Sequence, residues 1–119
     1  MAVEFELVNQ TKKEVISFCH LPGSKKRELT GGVASSAIVT WYMLSNQGDQ
    51  IQFVSDTYGE WPFNSGSRND LTQYTDVTEE LIQSLIKEGI LQDEGYDYID
   101  DEDPENIYIK KHANIWCSL

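Results

Sequence analysis

Two cysteines, two histidines and a dense run of carboxylates are the side chains in these 119 residues with the most chemistry to offer. Cys19-His20 and His112-x4-Cys117 together make a Cys2His2 set, a combination that zinc accepts. Neighbours on a helix point about 100° apart, so a helical Cys19-His20 pair would struggle to share one tetrahedral ion. The spacing therefore favours Cys19 as a small core side chain and His20 as the end of a helix. A nucleophilic enzyme needs a hydroxyl or thiol beside an oriented base, and neither histidine sits in a recognisable motif for that work. Gly-x-Ser-x-Gly, the phosphate-binding loop, Gly-x-Gly-x-x-Gly and His-Glu-x-x-His are all absent. No catalytic residue, cofactor or metal is assigned, and the reading leans away from an enzyme.

Between Asp93 and Glu105 there are eight carboxylates in thirteen positions, dense enough to gather a hard cation through oxygen. Counted from Asp93, a calcium-binding loop would need Gly and Glu where Tyr98 and Pro104 stand, so an EF-hand is excluded. A solvated hairpin tip and a partner-binding patch are the other readings of this run, and Asp100, Asp101, Glu102 and Asp103 are its binding candidates. The segment Asp56 to Tyr74 is the second candidate. It combines Asp56, Tyr58, Glu60, Trp61, Phe63 and Arg68 in a stretch punctuated by Gly59, Pro62 and Gly66. Tyr, Trp and Arg are enriched among residues that dominate interface energy. Asp56 and Glu60, close to Trp61, could also do acid and base work if buried. An aromatic lid over the core is the competing reading. The basic cluster Lys25-Lys26-Arg27 could hold a phosphate but reads more simply as a solvated helix face.

These residues need elements to position them. Val3, Phe5 and Leu7 alternate with Glu4 and Glu6, which predicts a strand over 1–8. Thr11-Lys12-Lys13-Glu14 fits a capping box and predicts a short helix to about His20, ended by Pro22-Gly23. Val33, Ala34, Ala37, Ile38, Trp41 and Tyr42 recur at helical spacing, which predicts a long helix over 33–46 with Gly48 beyond its end. Ile51 to Ser55 reads as a strand, and 56–74 as a long loop. Leu81, Ile82, Leu85 and Ile86 form the stripe of another helix, capped by Thr75 or Asp76 and stopped by Gly89. Tyr96 to Ile99 and Ile107 to Ile109 read as hairpin arms around the acidic tip, and Ile115-Trp116 as a short apolar anchor. The order predicts a single α+β domain over 1–119, a largely antiparallel sheet with about three helices packed on one face. A winged helix is the main competitor, since 81–110 has the layout of a recognition helix and a wing.

Charge separates the partners. The formal net charge is -11, and residues 61–119 hold four bases against thirteen acids, whereas residues 1–60 hold five against seven. Such a surface repels nucleic acid and anionic membranes, attracts a basic protein, and makes a wing at 96–109 a poor reader of DNA. No apolar run reaches the roughly 18 residues a membrane helix needs, and the first residues lack the basic and apolar regions of a signal peptide. The expected location is the cytoplasm, where cysteines remain thiols.

The stretch Trp41-Tyr42 to Gly48-Asp49-Gln50-Ile51-Gln52-Phe53-Val54-Ser55-Asp56, with Glu60-Trp61-Pro62, Asp76-Val77-Thr78 and the opening Leu7-Val8-Asn9-Gln10-Thr11-Lys12-Lys13-Glu14, resembles small uncharacterised bacterial proteins. Some of these are of the kind found as immunity proteins beside polymorphic toxins. The resemblance covers most of the chain and implies no catalytic residue. Together with the charge it implies a non-catalytic acidic protein-binding module, an immunity protein or inhibitor of a basic toxin or nuclease. The alternative is a small-molecule-binding protein or minor enzyme with a pocket beneath the 56–74 loop.

Overall fold

A computed structural model describes residues 4–55 and 60–116. The chain opens with β1 (Phe5–Asn9), β2 (Glu14–Ser17), α1 (Lys26–Gly31), α2 (Val33–Ser45) and β3 (Ile51–Ser55). A 3-10 turn (Arg68–Gln73) leads into β4 (Thr75–Asp76), α3 (Thr78–Lys87), β5 (Leu91–Ile99) and β6 (Tyr108–Asn114). Four strands form one sheet in the order β3-β1-β2-β4, and β5 and β6 form a second sheet of two. All pairings are antiparallel except the short β2–β4 contact. The fold is thus α+β and largely antiparallel, divided between two sheets.

β1 has no polar face, and that determines the rest. Successive strand side chains point to opposite faces, yet Leu7 and Val8 are both buried. Leu7 packs with Ile16, Phe18, Ile38, Tyr42, Ile82 and Leu85, so α2 and α3 cover that face. Val8 packs with Val15, Val54 and Phe63, so the other face is covered by the segment that follows β3. Each side chain of this size removed from water contributes about 1.5–3 kcal/mol.

The helix expected from Thr11 to His20 is instead a turn and β2. Val15 and Ile16 are adjacent and both buried, one in each cluster, which a strand between two covered faces achieves and a short helix does not. Leu7 faces Ile16 and Val8 faces Val15 across the hairpin. The capping-box residues serve elsewhere. Thr11 Oγ1 accepts the Gln50 amide at 2.9 Å, and the Glu14 carboxylate accepts the Tyr42 hydroxyl at 2.7 Å. Buried Asn9 ties the turn together, accepting from the Lys12 amide at 3.0 Å and donating to Asp49 at 2.8 Å.

The other elements lie close to their expected places. α2 buries Ala34, Ile38 and Tyr42, although Val33, at the start of the expected stripe, is exposed. α3 ends before Gly89 as expected, and Ile90 turns back to donate its amide to Leu85 O at 2.9 Å. The terminal anchor acts through its backbone. Ile115 donates to Ile90 O at 2.9 Å, while the side chains of Ile115 and Trp116 are exposed.

Candidate functional site

The hairpin that carries the acidic run is the part of the molecule with the least cover. Tyr98 pairs with Ile109 and Ile99 with Tyr108, and the pairing slips between Asp93 and Tyr96. Gly95 produces that slip. At φ +89 it adopts a left-handed conformation that other residues rarely enter, and its amide donates to Asp93 Oδ1 at 2.7 Å. Tyr96, Tyr98, Ile99 and Ile107 are 43–54% exposed. Large apolar side chains this open, on a sheet of only two strands, lie in the midst of the acidic run.

At the tip the carboxylates divide by role. Asp100 Oδ1 accepts the amides of Glu102 at 2.8 Å and Asp103 at 3.1 Å, and Asp103 Oδ1 accepts from the Asn106 side chain at 3.1 Å. Asp100 and Asp103 therefore hold the turn, whereas Asp101 and Glu102 point charge into solvent. Among the described residues no three His, Cys, Asp or Glu side chains gather in an arrangement that could hold a metal ion.

The aromatic segment behaves differently. Phe63 is buried against Val8, Val15 and Val54, and Trp61 packs on the same cluster with its ring centroid 5.1 Å from that of Phe63. The Trp61 indole N–H donates to Ser65 O at 2.7 Å, and the Gln10 side chain reaches the same oxygen at 2.7 Å. Arg68 donates from Nε to Ser55 O at 3.1 Å, securing the segment to the end of β3. Trp61, Phe63 and Arg68 thus face inward and cover the sheet, while Glu60 is exposed. Asp56 and Tyr58 lie outside the described residues.

Sequence reasoning left unassigned a cavity of about 410 Å³ where the end of β2, the start of α3 and the hairpin meet. Cys19, His20 and His112 all line it, so the fold gathers three members of the Cys2His2 set from opposite ends of the chain; the fourth, Cys117, lies outside the described residues. They do not form a ligand shell. His20 lies beyond β2, in a turn rather than at a helix end, and stacks flat on Tyr108 with centroids 3.9 Å apart. Its Nδ1 is 3.0 Å from Tyr108 O. Cys19, expected in the core, is exposed because β2 has ended and the chain is turning.

The hairpin wall of this cavity is polar and aromatic. Lys110 Nζ lies 2.9 Å from Asp93 Oδ2 and 4.6 Å from the centroid of the Tyr96 ring. The hydrogen bond lowers the Asp93 pKa and raises that of Lys110, so both remain charged. His112, opposite Asp93 in the ladder, is buried, and burial lowers its pKa below 6.5. Its Nδ1 is the one fully buried side-chain nitrogen or oxygen without a hydrogen-bond partner among the described residues. A buried polar atom in that state costs about 1–3 kcal/mol. The signal that could have located this cavity is the period-two run Tyr108, Lys110, His112, which puts all three side chains on one face of a strand. Among the described residues no helix is long and apolar enough to cross a membrane. A scan against protein-family models and searches of the curated proteins and of the solved structures find no match to this chain.

Proposed function

We propose that this protein is a non-catalytic acidic binding module that docks on a basic protein through the β5–β6 hairpin, in the manner of an inhibitor or immunity protein for a basic toxin or nuclease. The observation that carries the reading is the joint exposure on one hairpin of Tyr98 and Ile99, on opposite faces of its strand, and of Ile107, Asp101 and Glu102 in its turn, with Asp97 beside them. Carboxylates around an apolar patch accelerate encounter with a cationic surface, and the apolar side chains hold the complex once water is expelled. A pocket beneath the 56–74 segment has less support, since Trp61 and Phe63 pack against the sheet and the open cleft of about 520 Å³ at Ser65, Gly66, Asp70 and Tyr74 is lined by neither of them nor by Glu60.

Affinity capture on the immobilised chain, followed by reconstitution with the purified captured protein, tests the reading. One basic partner is expected, with an association rate falling about tenfold or more as salt is raised from ~0.05 to ~0.5 M. Tyr98→Ala with Ile107→Ala should accelerate dissociation at least about tenfold. A rate indifferent to salt, or a complex indifferent to the hairpin substitutions, sinks it.

A further inference from the structure

The cavity at the junction of β2, α3 and the hairpin is continuous with the exposed patch through Tyr96, which belongs to both. Its wall carries the carboxylates Asp76, Glu79 and Asp93 and one lysine, Lys110. That lysine shows that the wall accommodates a cation, because its ammonium is held by a carboxylate on one side and a tyrosine face on the other. Asp93 is engaged by it, whereas the other two carboxylates are not paired with a cation among the described residues. Asp76 Oδ1 accepts the Thr78 amide at 2.9 Å, and Glu79 Oε1 accepts the Gln83 side chain at 3.0 Å.

The aromatic component is equally specific. His20 and Tyr108 form a flat stack, and Tyr96 meets Tyr108 edge-on at 5.7 Å. His112 lines the same cavity and holds a buried Nδ1 without a hydrogen-bond partner among the described residues, and burial lowers its pKa, which favours the neutral ring. Carboxylates turn away an anionic ligand. A neutral ring would leave the acidic excess uncompensated, and a compact ammonium would make poor use of the flat aromatic faces. A guanidinium meets every requirement, being a planar cation that stacks on rings and carries donors but no acceptors. The volume lies within the range of about 300–1,000 Å³ usual for small-ligand sites.

We propose that this cavity anchors an arginine side chain of the basic partner, with Asp76 and Glu79 accepting its guanidinium and the Tyr96 and Tyr108 rings framing it. The proposal rests on the docking reading above and gives it a specific chemical contact.

The test is a titration of the full chain with N-acetyl-L-arginine methylamide, read from the histidine ring and tyrosine signals in NMR spectra. The lysine analogue and the neutral citrulline analogue serve as comparators. Saturable shifts at His20, His112 and Tyr108 are expected with arginine, with affinity about tenfold lower for lysine and lost for citrulline. Asp76→Asn and Glu79→Gln change exposed side chains, and asparagine keeps an oxygen for the Thr78 amide, so the fold should persist while arginine affinity falls about tenfold in each. Equal binding of citrulline, or no saturable shift with arginine, overturns the anchor. The two readings fail separately. If the double variant Asp76→Asn/Glu79→Gln binds the captured partner as the parent does, the anchor is wrong and hairpin docking stands. If the arginine amide saturates the cavity while partner association ignores salt, hairpin docking is wrong and the guanidinium site stands.

Discussion

The four-stranded sheet and the β5–β6 hairpin treat their apolar side chains in opposite ways. In the larger sheet, neighbouring residues such as Leu7 and Val8 are buried on opposite faces, one beneath helices and the other beneath the Trp61–Phe63 segment. In the hairpin, Leu91 alone joins the main core among the described residues, Tyr98, Ile99 and Ile107 stay open, and Asp93, Tyr96, Tyr108, Lys110 and His112 border a cavity. Stability thus resides where both faces are covered, and the proposed recognition surface lies where they are not. The aromatic residues of the chain are divided between these tasks, and their spacing in the sequence does not reveal the division.

Five substitutions would break or sharpen that contrast. Phe63→Ala empties a buried position of the second face and should cost about 3–5 kcal/mol in a denaturant titration. A loss below about 1 kcal/mol would mean that the segment is a loose flap and that the two regions are alike. Gly66→Ala should cost about 1–2 kcal/mol, because φ is +79 there and an added Cβ would lie 2.6 Å from the Asp70 carboxylate. Unaltered stability would show that this turn does not hold the covering segment in place.

His112→Phe replaces an unpartnered buried imidazole by a ring without polar atoms and should raise stability by about 1 kcal/mol at neutral pH. It should also flatten the acid limb. The folded-state pKa of His112 lies below the ordinary 6.5, so the unfolded chain takes up that proton first as pH falls. Parent stability is therefore greatest above about pH 6.5 and declines below it, until the folded-state value is passed. Identical pH profiles for parent and variant would show that His112 is not the group responsible. The smallest effect belongs to the hairpin: Tyr98→Ala and Ile107→Ala should each shift stability by less than about 0.5 kcal/mol. A larger loss would mark these side chains as structural and weaken the case for a binding surface.

Much of the fold was legible where a single period dominated. The stripes of α2 and α3, the strand at Ile51–Ser55 and the acidic hairpin all follow from local spacing. The turn from Thr11 to Ser17 was not legible, because Thr11 and Glu14 are as able to bond to Gln50 and Tyr42 as to cap a helix. The candidate site was legible in part. The acidic tip stands where its residues placed it, whereas Trp61, Phe63 and Arg68, equally suited to an interface, are used on the covered face of the sheet.

The sequence by itself determined an acidic α+β chain with its charge concentrated in the second half and no motif of an enzyme. Those properties depend on residue counts and near neighbours, which no folding can change. Only the tertiary structure decided which aromatic cluster would be covered and which left open, and it alone brought His20 beside Tyr108 and His112. The reason is that burial belongs to the surface an element meets. An aromatic beside an uncovered sheet face is drawn in to cover it, whereas Tyr98, on a hairpin of two strands, stays half exposed.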